Sequence, residues 1–408
     1  MLIKKIDIDK IIYYSILIFA FTLPLSRASI SLFMIVLPLL WLYQGDIKNK
    51  IKALLNSKLI IAIILFTIYS ALSALWSEDM TKTFRHLRLL LYFFTIFVIA
   101  TSVKKEQIQS VISAFLYGMF VSEIISYGVF FELWSFKNAT VSNPVPFMYH
   151  TTYSIFLAFT SILLLNRIVA KHYSLKERII YIIFFFTITG NLFLTEGRIG
   201  QVALIFGIII LSLIHYRISF KAIFLSIFII ISTLFMASSL SDTFNKRVND
   251  SITDVKNISN LNLNGSWGIR VAYYITTYDI VKDNILFGVG LGDYVEETKE
   301  ILKKDKYNFL SKQTRDFMGT FSPHNQFLMT LLQMGIIGFI LLVYMLYQIF
   351  KLKINNPEIK ELSILFSVVF IVGCMAEPFL KVQFAIALFV LFTSLFISAS
   401  NEKTYLES

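Results

Sequence analysis

The most informative polar residues of this sequence stand at the start of an apolar stretch that runs to residue 350. His324 and Asn325 directly follow Ser322 and Pro323, which suit the N-cap and the first position of a helix. The pattern therefore predicts a helix with His324 in its first turn. Because a helix amino terminus disfavours an imidazolium ion, we expect a neutral histidine that can accept a proton near neutral pH.

Two glycines follow on the same predicted helix. Gly335 comes eleven residues after His324, which is about three turns, and Gly338 falls on nearly the same face. Small residues let helices pack closely within a membrane. We therefore expect a second helix to approach this one beneath the histidine.

Arginines in the predicted connections have the chemistry to bind phosphate, because the guanidinium fork matches phosphate oxygens. Arg198 lies between two apolar stretches, and Arg270 lies early in a long polar segment. Arg85 and Arg88 are three residues apart and share one helix face. A role in gripping lipid headgroups is an alternative for Arg198, and it fits Arg85 and Arg88 as well as a substrate role does.

Two acidic residues lie within or beside apolar stretches, where a charge is costly without a partner. Glu123 is the deepest, and Glu377 follows the end of a later stretch. Either one could pair with an arginine of the site, although a buried structural pair fits equally well. We interpret His150 as a polar residue of the membrane interface.

No metal site is expected from the sequence. The D-x-D pattern that often holds a divalent cation occurs only at Asp7 and Asp9, in the predicted cytoplasmic tail. No outward-facing cluster of histidines and acids has the spacing of metal ligands. We therefore predict that the protein uses neither a metal nor another cofactor.

The chain that carries these residues has the composition of a membrane protein. Of its 408 residues, 56% are hydrophobic and 15% are charged, whereas soluble proteins carry about 25% charged residues. Windows of about 20 residues predict an all-α, polytopic integral membrane protein with about twelve spans. These lie near 11–26, 28–44, 59–76, 84–103, 109–133, 148–166, 179–195, 199–215, 219–239, 325–350, 362–376 and 382–399.

Lysine and arginine orient the predicted bundle. They are concentrated in the connections on one side, which the positive-inside rule assigns to the cytoplasm together with both termini. The long connection before residue 324 then faces outward. We predict three parts: residues 1–239 with nine spans, a large helical periplasmic segment over 240–323, and residues 324–408 with three spans and a short tail. The net charge of +11 follows from this pattern and does not indicate nucleic acid binding.

The long segment contains local order of its own. Its stretch from Trp267 to Val281 has helical spacing, and residues 295–306 predict an amphipathic helix with Glu300 and Lys304 one turn apart. Between them, N-I-L-F-G-V-G-L-G resembles a phosphate-binding loop. A tight turn is favoured, because the strand that precedes such a loop is lacking.

The stretch that begins at His324 matches the motif H-[NSQ]-x9-G-x-x-[GTY] of the O-antigen ligase family. His324, Asn325, Gly335 and Gly338 occupy the required places. The chain is also similar to that family in its number of predicted spans and in the large outer segment just before the motif.

Two further short stretches resemble the family. Arg198 in L-T-E-G-R-I-G and Arg270 in G-S-W-G-I-R are similar to two arginines of its members, one before the outer segment and one early in it. Gly197 departs from the pattern, because a serine often precedes the first arginine. The charge itself is kept.

The resemblance implies a metal-independent glycosyltransferase of the bacterial inner membrane with its active site on the periplasmic side. The donor would be a glycan on undecaprenyl diphosphate, and the acceptor would be a sugar of the lipid A core. The general base would be His324. The diphosphate would be bound by Arg198 and Arg270, and Asn325, Gly335 and Gly338 would support the site. Outside the resemblance, Arg85 and Arg88 are our further candidates for binding the diphosphate, and Glu377 is a further candidate for a supporting residue.

Other functions stay open on the sequence alone. A polymerase of O-antigen or another surface polysaccharide would share the donor and the site, and so would a protein O-oligosaccharyltransferase. A flippase or transporter would fit twelve spans, but we expect its polar site near the bilayer midplane, at residues such as Glu123, and in repeated halves. A membrane scaffold would not need the histidine motif.

Overall fold

The computed structural model shows a predominantly helical protein. It describes residues 7–170, 172–216, 242–260 and 262–400, and scattered positions between 217 and 241. The all-α class is confirmed, because these residues are 78% helical and form no β-strand. The predicted ninth span (219–239) and the terminal residues 1–6 and 401–408 lie outside the described residues, apart from those scattered positions.

The helices of the described residues are numbered in chain order. They are α1 (Ile8–Thr22), α2 (Arg27–Gln44), α3 (Ile47–Leu54), α4 (Lys58–Leu72), α5 (Met80–Leu90), α6 (Phe94–Ser102), α7 (Ile108–Phe130), α8 (His150–Val169), α9 (Leu175–Leu194), α10 (Arg198–Tyr216), α11 (Asp242–Ser259), α12 (Ser266–Val281), α13 (Tyr294–Leu302), α14 (Lys312–Met318), α15 (Gln326–Lys351), α16 (Pro357–Cys374) and α17 (Gln383–Ala399).

Eight helical segments of the described chain are long and apolar enough to cross a membrane. They are Arg27–Gln44, Lys58–Trp76, Met80–Ser102, Lys105–Phe130, His150–Val169, Leu175–Leu194, Arg198–His215 and Gln326–Lys351. Helix α17 is also apolar but shorter. Each coincides with a predicted span to within a few residues, whereas the total of about twelve spans stays a prediction.

The centre of the bundle is formed by α8 and α17. Every residue of α17 from Phe384 to Ala399 is buried, and α8 packs against α9, α10 and α16. Helices at the periphery instead expose apolar side chains. On α2, Leu32, Ile35 and Leu39 are 55%, 62% and 59% exposed and lie on one face, as expected of a surface that contacts lipid.

Residues 242–323, here called the capping segment, form α11 to α14 at one end of the bundle. The segment has an apolar core of its own, which includes Tyr273, Ile301 and Met318 together with Leu332 of α15. The helices predicted from the spacing after Trp267 and after residue 294 are both present. Within α13, Glu300 forms its ion pair with Lys303 at 2.5 Å, not with the predicted Lys304.

Helix α15 is interrupted at Gly335, whose φ of 61° and ψ of −162° lie outside the helical region. Such a conformation favours glycine, because a Cβ atom would be strained there. An interruption also leaves the carbonyls of the preceding turn without their partners within the helix. The nearby chain therefore has to supply other donors.

The missing donors come from the glycine turn, defined as residues 284–292, and from α4. The backbone N–H groups of Val289 and Gly290 donate to the carbonyls of Leu332 and Gln333 at 2.8 and 3.1 Å. The Tyr69 hydroxyl donates to the next carbonyl, that of Met334, at 3.2 Å. Since these N–H groups bind backbone carbonyls, the predicted tight turn is favoured over a phosphate loop.

The expectation that a second helix packs against Gly335 and Gly338 is wrong. A Cβ atom at Gly335 would lie 2.3 Å from the carbonyl oxygen of Leu286, so it is the glycine turn that approaches. At Gly338 a Cβ atom would meet the Met334 side chain of the same helix at 2.2 Å. The break in α15 explains both contacts. It lets the glycine turn pack against Gly335, and it changes the direction of the backbone at Met334, the residue before the break.

Candidate active site

His324 lies between the capping segment and α15, just before the helix begins. The N-cap of α15 is Asn325, whose side-chain oxygen accepts from the N–H groups of Phe327 and Leu328 at 2.8 and 3.1 Å. The predicted placement of His324 in the first turn is therefore wrong. Asparagine is as good a cap as serine, and here it satisfies two N–H donors at once, so the helix begins at Gln326.

The imidazole of His324 is paired with a carboxylate. Its Nδ1 atom lies 3.1 Å from Oε2 of Glu377, and the two side chains are 31% and 13% exposed. Because a carboxylate only accepts hydrogen bonds, Nδ1 carries the hydrogen and Nε2 keeps a free lone pair in the neutral ring. The arginine partner considered for Glu377 is thus replaced by the histidine.

Aromatic side chains of the capping segment hold this pair in place. The Phe317 ring stacks on His324 with centroids 6.1 Å apart, and Tyr273 presents its ring at 81° and 6.4 Å. The Asn325 amide donates to the Tyr274 hydroxyl at 3.2 Å. The site is therefore assembled from the capping segment, α15 and the turn after α16.

Arg270 lies close enough to Glu377 and to Arg198 for their charges to affect it. Burial lowers the pKa of Arg270, Glu377 and Tyr274 oppose that shift, and the charge of Arg198 adds to it. The Arg270 guanidinium lies 5.4 Å from the Trp267 ring centroid, whereas Arg198 donates to the Ser251 hydroxyl at 2.7 Å. Two guanidinium groups thus stand near the carboxylate of Glu377.

The structure explains the glycine that departs from the family pattern. A Cβ atom at Gly197 would lie 2.3 Å from Cβ of Ser154 and 2.7 Å from the carbonyl oxygen of His150, both on α8. The loop before Arg198 therefore runs directly against that helix, and a serine would clash. His150 is the first residue of α8, and its ring lies against Tyr149.

Arg85 and Arg88 are both exposed on α5, as their predicted spacing requires. Tyr294 links Arg85 to the site: its pKa is raised by burial, and the charges of Lys82 and Arg85 oppose that shift. Arg88 forms no hydrogen bond or ion pair with the described residues. Arg85 is therefore the better connected of the two.

Lys381 is a site residue that the sequence analysis missed. It is partly buried in the turn after α16, and its Nζ atom lies 4.1 Å from the Tyr294 ring centroid. Burial and the charge of Lys82 lower the pKa of Lys381 well below its usual value. No acid of the described residues lies within ion-pair distance. Its spacing of four residues from Glu377 was the available signal.

Glu123 does not join this site. It is 3% exposed on α7 and lines a cavity of about 370 Å³ together with Arg167. Its Oε2 atom has no hydrogen-bond partner among the described residues. In the part of the chain that the structure describes, no group of three or more histidines, cysteines and acids could hold a metal ion.

The bundle and this site define an integral membrane protein with a carboxylate-held histidine among cations at one end. Residues 183–343 match the sequence model described as O-antigen ligase, so this part of the chain is similar to the O-antigen ligase family. No curated protein matches it. The family implies a bacterial membrane protein of the ligase and polymerase superfamily that acts on lipid-linked polysaccharides.

The matched region contains Arg198, Arg270 and His324. Glu377 and Lys381 lie beyond its end, although they face the same site. The structure therefore adds two residues to those that the family motif contains.

Proposed function

We propose that this protein is an O-antigen ligase of the bacterial inner membrane. It transfers a glycan from undecaprenyl diphosphate to a sugar hydroxyl of the lipid A core on the periplasmic face, without a metal. The pairing of His324 with Glu377 at 3.1 Å, next to Arg198 and Arg270, is the observation that supports this most directly.

In this proposal His324 acts as the general base. Its Nε2 atom accepts the proton of the attacking hydroxyl, and the new bond joins the acceptor oxygen to the anomeric carbon of the donor. The carboxylate of Glu377 orients the ring and stabilises the imidazolium that forms. Glu377 therefore acts through the histidine to which it is hydrogen-bonded and does not contact the substrate.

The arginines stabilise the leaving group. As the bond from the anomeric carbon to the diphosphate breaks, its electron pair passes to a diphosphate oxygen, where negative charge develops. Preorganised guanidinium groups are well suited to that charge. Arg198 and Arg270 bind it directly, Arg85 and Lys381 extend the cationic surface, and Arg88 is one turn further along α5. A single displacement of this kind inverts the anomeric configuration.

The first test uses a ligase-null Gram-negative strain that makes the matching lipid-linked glycan. We expect the native chain to restore the long-chain lipopolysaccharide ladder and His324→Ala to abolish it at equal membrane levels. If the native chain restores nothing there but lengthens single-unit glycans in a polymerase-null strain, the polymerase alternative replaces this proposal.

The second test separates the base from its partner. Glu377→Gln keeps the side-chain volume but removes the charge that stabilises the imidazolium, so we expect transfer by the purified enzyme to fall by roughly 10- to 100-fold. His324→Ala should lose more, and Lys303→Gln, in an exposed surface ion pair, should lose nothing. Full activity of Glu377→Gln would remove Glu377 from the mechanism.

A further inference from the structure

A second cavity with a cationic rim lies at the capped end of the bundle, outside the site described above. It has a volume of about 680 Å³ and is lined by Arg27, Lys137, Asn138, Asn143, Phe147 and Tyr149, among others. This size is typical of ligand pockets, which hold about 300–1,000 Å³. None of its lining residues is acidic.

Both cations of this cavity lack an acidic partner within the described residues. Arg27 lies over the Phe384 ring at 5.7 Å, and Lys137 lies near the rings of Phe136 and Phe147 at 5.1 and 5.5 Å. Lys137 also has a φ of 50°, a left-handed conformation that a residue other than glycine seldom adopts. The loop therefore holds this lysine in a strained backbone at the cavity rim, a feature that clusters at functional sites.

Two hydrogen bonds and one electrostatic interaction connect the cavity to the active site. Burial raises the pKa of Tyr149, and the charges of Glu377 and Glu196 raise it further, which puts this tyrosine within range of the histidine's partner. The side-chain oxygen of Asn143 accepts from the Glu196 N–H at 3.2 Å, two residues before Arg198. The Gln383 amide donates to the Arg27 carbonyl at 3.2 Å, two residues after Lys381.

We propose that this cavity is the acceptor subsite, and that Arg27 and Lys137 recognise an acidic group, phosphate or carboxylate, on the acceptor glycan. This inference rests on the proposed function and gives its acceptor a chemical class. Aromatic rings and side-chain amides beside the cations match the apolar faces and hydroxyls of sugars.

The reaction requires two separate sets of cations, one for the donor and one for the acceptor, if both substrates are negatively charged. The donor diphosphate and an acidic acceptor repel each other, so one shared set of cations would hold them poorly. With Arg198 and Arg270 on the donor, a second pair of cations lets the acceptor approach His324 without competing for them.

The test measures binding without turnover. The purified full-length protein in phosphatidylcholine nanodiscs is titrated with a fluorescent core oligosaccharide, and with the same oligosaccharide after its phosphates are removed and its carboxylates reduced. We expect the native protein to bind the acidic form about tenfold more tightly, as two exposed charge contacts of about 0.7 kcal/mol each would give. The double variant Arg27→Gln with Lys137→Gln should bind both forms alike.

Lys303→Gln is the matched control and should keep the preference, and equal melting temperatures show that the variants are folded. A preference that survives in the double variant overturns the proposal. It is also overturned if phosphatidylglycerol in the nanodisc abolishes oligosaccharide binding through Arg27 and Lys137, because the cavity is then a lipid headgroup site.

Turnover distinguishes this proposal from the proposed function. In the ligase reaction, the double variant should raise the acceptor KM about tenfold and leave the donor KM unchanged. If no transfer occurs with any acceptor while the binding preference depends on both cations, the ligase assignment fails and the acidic-glycan site stands.

Discussion

At the scale of single residues, the site combines a histidine that is paired with a carboxylate and a lysine that has no acidic partner among the described residues. His324 has its carboxylate, and that pair fixes which ring nitrogen is free to accept a proton. Lys381 has only an aromatic ring, a neighbouring lysine and a low-dielectric surrounding. A buried cation without an acid lowers stability, so a functional anion is the natural reason for its retention.

The substitution Lys381→Met keeps the length of the side chain and removes the charge. We expect transfer to fall on the order of 10²-fold, as for the loss of one preorganised donor, while the melting temperature in detergent stays equal or rises. Lys82→Met is the stability control. It removes a lysine that lies 2.8 Å from Asp79, so its melting temperature should not rise. A lower melting temperature with full activity in Lys381→Met would show a purely structural lysine.

At the scale of elements, the glycine turn and the broken helix α15 form one unit. Backbone groups of the capping segment complete the hydrogen bonding of α15 at the level of Gly335, and Asn325 caps the helix three turns earlier. The Asn325 amide also donates to the Tyr274 hydroxyl, so the capping segment contacts both the start and the break of the helix that follows His324.

Replacing Gly335 by alanine should break this unit. The strained φ costs about 1–3 kcal/mol, and the new Cβ atom would lie 2.3 Å from the Leu286 carbonyl oxygen, so we expect a lower melting temperature and little transfer. Gly319→Ala is the matched control, since its φ of −74° suits alanine and the nearest atom to the new Cβ is Cγ of the flexible Lys299 side chain at 3.0 Å. Equal tolerance of both changes would contradict the role given to the break.

At the scale of the whole molecule, the capped end of the bundle gathers the polar chemistry. The histidine pair, the arginines, Lys381 and the second cavity all lie there, and the centre of the bundle is apolar. We propose that this end faces the periplasm and that both termini face the cytoplasm. The donor's polyprenyl chain can then remain in the bilayer while its diphosphate reaches the arginines.

Cysteine labelling tests that orientation. The native Cys374 is 1% exposed and should give little background. In spheroplasts, a membrane-impermeant maleimide should label Lys303→Cys in the capping segment and should label Lys48→Cys, in α3 at the opposite end, only after permeabilisation. The reverse pattern would place the site on the cytoplasmic face.

The sequence by itself determined the all-α class and most boundaries of the described spans, and it singled out His324 as the candidate base. Long apolar runs have to be helical in a bilayer, because only a helix satisfies its own backbone there, and this property is local in the chain. The motif at His324 predicted the family resemblance for the same reason, since its residues are neighbours.

Only the tertiary structure decided how the site is completed. Glu377 is 53 positions from His324, and the glycine turn meets α15 more than forty positions away. Such contacts depend on how helices and loops pack. For this reason Glu377 pairs with a histidine and not with the expected arginine, and a loop and not the expected helix packs against Gly335. Lys381 had only its spacing from Glu377 as a local signal, and it became a candidate site residue when folding partly buried it beside Tyr294 with no acid of the described residues within ion-pair distance.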